Sequence, residues 1–209
     1  MSRRYQAVLF DLLTALLDSW TVWDKAAGSP ERGRAWRAEY LKLTYGCGAY
    51  RPYEALVGEA AAATGVDAGG PIRLETAWQT LSPWSGVTGT LRSLEATHRL
   101  GVVTNCSERL GRIAAECVGV RFDVIVTSER AGYYKPDPHP YQLALGDLGL
   151  PASAVLFVAG SGYDLFGTAA CGLDTYWHNR IGLAAPAGAP APLLQSPDLA
   201  ALPALALRA

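Results

Sequence analysis

Two periodicities divide the chain. Residues 7–10, Ala-Val-Leu-Phe, form an unbroken apolar run, the signature of a short strand buried on both faces of a parallel sheet. From about residue 20 to residue 65 the spacing turns helical, and Ala35, Trp36, Tyr40, Leu41 and Leu43 fall close to one helical face. An alanine-rich stretch predicts a second helix over Tyr53–Thr64. Val66-Asp67-Ala68-Gly69-Gly70-Pro71 breaks it, a third helix follows over 72–81, and Ser82-Pro83-Trp84-Ser85-Gly86 closes the block. Beyond it helices and strands alternate: helix 87–97, strand 100–104, helix 108–118, strand Val124–Thr127, helix 139–148, strand 155–158, helix 163–170 and strand 174–177. Such alternation argues for an α/β fold built on a doubly wound parallel sheet. The helical block after the first strand then reads as an insertion capping that sheet. The predicted partition is residues 1–14 and 86–209 for the Rossmann-like core and 15–85 for the helical cap. In the tail, 185–192 reads as an extended linker, and Ser196-Pro197-Asp198 as the start of a terminal helix shortened by Pro203. The tail is assigned to packing and no chemistry.

Composition narrows the partners. The 209 residues are 50% hydrophobic and 18% charged, and 18 basic against 19 acidic residues give a net charge of −1. That balance offers no electrostatic reason for nucleic acid or an anionic membrane. No apolar run reaches membrane-spanning length. The N-terminal Met1-Ser2-Arg3-Arg4-Tyr5 leads into an apolar run that contains Asp11 and no small-residue cleavage site, which argues against a signal peptide. Cys47, Cys106, Cys117 and Cys171 form no CxxC pair and no zinc spacing, which suits reduced thiols in the cytoplasm. His98, His139 and His178 are too far apart in sequence to suggest a metal site.

In a doubly wound sheet, ligands bind beyond the carboxyl ends of the strands. Asp11 follows the first strand, Thr104 and Asn105 the second, and Lys135 lies in the segment after the third. Gly160, Ser161, Gly162 and Asp164 follow the fourth. An acid, a hydroxyl, an amide, a cation and a second acid on one edge suit a carboxylate nucleophile whose charge a lysine and a second acid manage. Each residue alone has a plainer reading. Asp11 could cap a turn, Thr104-Asn105 could cap the helix near Glu108, Lys135 could be solvated, and Asp164 could serve a helix dipole. Their order and common position favour a site. Cys106, beside a helix start, reads as a buried structural thiol before a reactive one.

The chain resembles the haloacid dehalogenase (HAD) superfamily over almost its whole length. The matching segments are Val8-Leu9-Phe10-Asp11, Val103-Thr104-Asn105, Lys135-Pro136-Asp137-Pro138 followed by Tyr141, and Phe157-Val158 through Asp164, with Cys171-Gly172-Leu173-Asp174-Thr175 beyond. Phosphatases of that superfamily carry an acid two residues after the nucleophile and a magnesium-holding Asp in the fourth motif; these positions read Leu13 and Gly160. An apolar residue at Leu13 is similar instead to the L-2-haloacid dehalogenase branch, whose metal-free chemistry displaces halide and needs no acid for it. Trp36-Arg37 followed by Leu41 resembles the branch's cap segment with its halide-binding arginine; a surface arginine is the plainer alternative.

The resemblance implies Asp11 as nucleophile, Lys135 as charge stabiliser and Asp164 as the residue that activates water. It implies Thr104, Asn105 and Ser161 as substrate or halide ligands, Arg37 as the halide ligand from the cap, and Leu13, Leu17, Trp20 and Tyr163 as walls of a dry pocket. It implies no metal: Mg2+ would have only Asp11, the Leu13 carbonyl and Asp164, a poor octahedral set. The implied partners are a small-molecule substrate and, by analogy to the branch, a second copy in a homodimer. Where the branch has Gly-Thr this chain has Thr14-Ala15, with the Thr14 hydroxyl expected to point elsewhere. A glycine position reads Cys106, a serine position Ala159 and an asparagine position Ser161. Two other readings stay open: a magnesium-dependent phosphatase of the same fold, and a catalytically silent binding protein.

Overall fold

A computed structural model describes residues 5–207; the basic N-terminal residues 1–4 and the final residues 208–209 lie outside the described part. Strands β1 (Ala7–Asp11), β2 (Arg99–Thr104), β3 (Val124–Thr127), β4 (Val155–Ala159), β5 (Asp174–His178) and β6 (Leu194–Ser196) form one sheet in the order β3-β2-β1-β4-β5-β6. Every pairing is parallel. The chain builds outward from β1 to β3, then returns to the other side of β1, so the switch point lies between β1 and β4. Ligands of open parallel sheets bind there, beyond the strand ends.

All five residues of β1 are buried; the apolar run predicts this for residues 7–10, and Asp11 joins them. Alternate side chains feed two separate cores. Val8, Phe10, Val102 and Val158 join one cluster, and Ala7, Leu9, Val103 and Phe157 the other. Covering a parallel sheet on both faces requires this arrangement.

Between β1 and the rest of the sheet stand α1 (Ser19–Ala27), α2 (Pro30–Gly46), α3 (Tyr53–Thr64) and α4 (Gly70–Ala77). Ser29 caps α2 through the Arg32 N–H, with Pro30 at its first position. The buried face of α2 is Gly33, Trp36, Arg37, Tyr40 and Thr44, whereas Leu41 and Leu43 are only half-buried. The hydropathy pattern thus misplaces the face by part of a turn, because Leu41 borders a cavity instead of packing inside a core.

Then follow α5 (Val87–Glu95), α6 (Glu108–Cys117), α7 (Ser128–Ala131), α8 (Pro138–Leu148), α9 (Asp164–Ala170) and α10 (Leu202–Ala206). The tail departs most from expectation. It adds β6 to the sheet edge, and the Leu193 N–H donates to Thr175 O at 2.8 Å to begin that pairing. The terminal helix starts only at Leu202, because Asp198 caps a tight turn through the Ala200 N–H. No helix among the described residues is long and apolar enough to cross a membrane.

Candidate active site

β1 delivers Asp11 to the switch point. The next five residues, Leu12–Leu16, form a buried turn wider than an α-helix, with Asp11 as its N-cap. Asp11 Oδ2 accepts the backbone N–H groups of Thr14 (2.8 Å) and Ala15 (3.1 Å). The Thr14 hydroxyl donates to the same oxygen. This corrects the expectation for Thr14: the wide turn swings its side chain back over the carboxylate.

Asp11 Oδ1 has a different partner. Lys135 Nζ lies 2.8 Å from it and 2.9 Å from Asp164 Oδ1. The Tyr141 hydroxyl donates to that Asp164 oxygen at 2.7 Å. Asp11, Lys135 and Asp164 are 6%, 4% and 4% exposed, so two acids and one cation share a nearly dry space. Burial pushes the Asp11 carboxyl up, but the Lys135 ammonium and the Lys135 and Thr14 hydrogen bonds outweigh it and hold the group below its ordinary value. For Lys135, burial acts downward and the two carboxylates override it, so the ammonium stays charged. Asp164 goes the other way. Burial, helped by the Asp11 charge, raises it despite Lys135 and Tyr141. The pair is therefore split into an anion that holds its charge and an acid more ready to take a proton.

Asn105 reaches the site but its amide is committed. Its Nδ2 donates to Lys135 O (2.9 Å), and its Oδ1 accepts the Lys135 N–H (2.7 Å) and the Ser128 hydroxyl (2.8 Å). It borders the cavity chiefly as a brace for the lysine segment. Thr104 is fully buried and does not line the cavity, so its expected contact with substrate is corrected; the Cys106 thiol, 3.8 Å away, faces its hydroxyl. Burial pushes the Cys106 thiol up to about 12, in line with a structural thiol.

Arg37 projects from α2 into the same space. Its guanidinium lies 3.9 Å from the Trp20 ring centroid and donates to Ser19 Oγ at 2.9 Å. Burial lowers its pKa and the Asp11 charge opposes that; a guanidinium remains protonated regardless. Ser161 borders the cavity and accepts the Tyr163 N–H.

These groups surround a cavity of about 230 Å³. Leu13, Trp20 and Tyr163 line it as expected, but Leu17 does not. Several wall residues escape the sequence reading: Trp23, Tyr40, Tyr45 and Tyr53 from the helical block, and Leu183 and Pro186 from the tail. The tail is therefore more than packing. Asn179 fixes it by donating to Leu183 O (2.8 Å) and accepting its N–H (2.7 Å). The aromatic residues carry a signal in hindsight, four large rings within the helical block, though on three separate helices; the tail residues carry none. Tyr141 also lies in the matched run without being singled out.

The donor set does not fit magnesium. Lys135 Nζ occupies the space between the two carboxylates, and Asp11 Oδ2 already accepts three donors. A side chain at Gly160 could not repair this. A Cβ there would stand 2.2 Å from both Thr14 Oγ1 and Ala15 N. An acid at this position would displace the turn that holds Asp11.

The family model described as haloacid dehalogenase-like hydrolase matches residues 8–177. The chain belongs to that family. It is similar to the haloacetate dehalogenase H-2 of Moraxella sp. (strain B), 29% identical over 199 residues, 87% of this chain and 89% of the relative. It is 30% identical over 194 residues to the (S)-2-haloacid dehalogenase of Pseudomonas sp. (strain YL), covering 85% and 84% of the two chains. Among solved structures, an L-2-haloacid dehalogenase superposes with a TM-score of 0.85 at 26% identity, over 97% of this chain and 98% of the other.

Proposed function

We propose that the protein hydrolyses the carbon–halogen bond of a small 2-halocarboxylate without a metal, through an ester on Asp11. The observation that carries this reading is the asymmetry of the Asp11 carboxylate. Oδ2 accepts three donors, while among the described residues Oδ1 meets Lys135 alone and keeps a lone pair for attack. Both whole-length relatives named above carry dehalogenase names.

Oδ1 attacks the substrate carbon from behind the carbon–halogen bond. That bond breaks, and halide leaves with its electron pair and needs no proton, which suits Leu13 at the position where a general acid would stand. Arg37 receives the departing halide, its charge strengthened by a dry surround. Asp164 then takes a proton from water as the water oxygen attacks Cγ of the ester. The Cγ–Oδ1 bond breaks, the proton passes to the leaving oxygen, and a 2-hydroxy acid departs. Ser161 contributes a polar contact to the substrate. Residues 15–85 act as the cap over a core of 1–14 and 86–209, in keeping with their share of the cavity wall. Four free cysteines accord with a cytoplasmic setting.

The test is halide release from L-2-chloropropionate, with Asp11→Asn as control. Halide release is expected from the unsubstituted protein and loss of more than about a thousandfold from the variant. A single turnover in H₂¹⁸O should place the label in Asp11, since the product leaves with the old Oδ1. EDTA-sensitive release of phosphate from p-nitrophenyl phosphate, with no halide, would replace this reading by a phosphatase. Neither release would favour a silent binding protein.

A further inference from the structure

The turn that follows β1 bears on the second half of the reaction. In the branch this chain resembles, a glycine and then a threonine follow the position of Leu13; here the order is Thr14-Ala15. Ala15 supplies only its backbone N–H to Asp11. The hydroxyl has not vanished from the site. It stands one residue earlier and still reaches Asp11 Oδ2.

Gly160 makes room for it. A Cβ at that position would collide with Thr14 Oγ1, the Thr14 carbonyl carbon and the Ala15 nitrogen at 2.2–2.5 Å. A side chain at position 160 would have to displace this turn, its backbone as well as the Thr14 hydroxyl. Thr14 is 8% exposed and lines the cavity, so its hydroxyl lies at the boundary between the turn and the substrate space.

We propose that Thr14 is a catalytic residue, its hydroxyl completing a three-donor oxyanion hole for hydrolysis of the Asp11 ester. This rests on the ester mechanism above. Once Oδ1 has bonded to the substrate carbon, Oδ2 is the ester carbonyl oxygen. Water adds to Cγ, the carbonyl π electrons move onto Oδ2, and negative charge gathers where the Thr14 N–H, the Ala15 N–H and the Thr14 hydroxyl converge. Collapse restores the carbonyl and breaks the Cγ–Oδ1 bond; Asp164 returns the proton to the departing oxygen. Preorganised donors aimed at developing charge accelerate such steps strongly. In the first step their effects oppose each other: they help hold Asp11 ionised with Oδ1 aimed outward, a task the two N–H groups and Lys135 continue without the hydroxyl, while donors on Oδ2 withdraw charge from the nucleophile. The Thr14 hydroxyl should therefore speed ester hydrolysis and leave halide displacement little changed.

Thr14→Val removes the hydroxyl and keeps the shape; Thr14→Ser keeps the hydroxyl. Both are mixed with L-2-chloropropionate in rapid-quench single turnovers, with halide measured alongside the intact protein mass. For Thr14→Val we expect one equivalent of halide at a rate within about threefold of the unsubstituted protein. Ester hydrolysis should slow by about a hundredfold, so that a covalent adduct on Asp11 accumulates. Thr14→Ser should hydrolyse its ester within about threefold of normal. A Thr14→Val protein that turns over normally, or loses halide release with no adduct, overturns the inference while the dehalogenase reading stands. No halide from the unsubstituted protein overturns both.

Discussion

At the scale of single residues, the site turns on four buried charges, of which Arg37 stands on the cap side and only Asp11, Lys135 and Asp164 are in direct contact. One ammonium touches both carboxylates, and hydrogen bonds supply the rest of their close contacts. Three donors go to Asp11 Oδ2, and the Tyr141 hydroxyl goes to Asp164. Tyr141 thereby opposes the upward push that burial and the Asp11 charge exert on Asp164. In the proposed mechanism Asp164 must be ionised to take a proton from water, so activity is lost as pH falls through its raised value. Tyr141→Phe deletes the donor, makes Asp164 hold its proton more tightly, and moves the acid limb to higher pH. A hydrogen bond to a charged group is worth about 1.5–3 kcal/mol. The variant should therefore lose about tenfold or more in kcat on the acid side and recover toward normal at alkaline pH. A pH–rate profile checks this, and a uniform loss at every pH would deny Tyr141 the role. The sequence identifies the acids and the lysine, because charged residues at strand ends stand out against apolar runs. It names Tyr141 only as part of the matched run and gives it no role, because the role depends on where its hydroxyl ends.

At the scale of elements, the strands place the chemistry and the connections hold it. β2 and the segment after β3 are joined by Asn105, whose amide pairs with both backbone groups of Lys135 and receives Ser128 from the start of α7. This arrangement sets where the lysine stem begins, and so where Nζ meets the two acids. Asn105→Ala would leave the Lys135 N–H and C=O without these partners, at a cost of about 1–3 kcal/mol for each buried group left unsatisfied. The expected result is a lower melting temperature and a reduced kcat, with KM within about twofold. A raised KM at unchanged melting temperature would restore Asn105 to the substrate-binding role that its sequence position suggests. The strands are legible because apolar runs of four or five residues leave little choice. The turn Leu12–Leu16 is not. Its Leu-Leu-Thr-Ala-Leu sequence carries no helical or strand period, and its width is set by capping onto Asp11. The direction of the Thr14 hydroxyl depends on that width and escapes the sequence for the same reason.

At the scale of the molecule, three distant parts of the chain enclose one cavity: the sheet edge, the helical block, and the tail held by Asn179. Only the first two are apparent before the fold is known, since the wall residues Leu183 and Pro186 sit in the irregular segment between β5 and β6 and are placed by Asn179. The enclosed volume, about 230 Å³, bears on what fits. An apolar cavity of about 150 Å³ suffices for benzene. A two-carbon haloacid fills less than that and would leave room for water around Asp11 Oδ1, where hydration blunts a carboxylate nucleophile. Trp20, Trp23, Tyr40 and Leu41 line this space and offer apolar contact. Each methylene that replaces water against such a wall contributes about 0.8 kcal/mol, roughly fourfold. Lengthening the substrate from chloroacetate through 2-chlorobutanoate to 2-chlorohexanoate adds two methylenes at each stage and should raise kcat/KM by up to about fifteenfold per stage until the cavity is full. Halide release measured across the series reads this directly. A steady decline from the two-carbon acid onward would mean that the far part of the cavity is closed to substrate, and that the aromatic wall serves to position Arg37 through its stacking on Trp20.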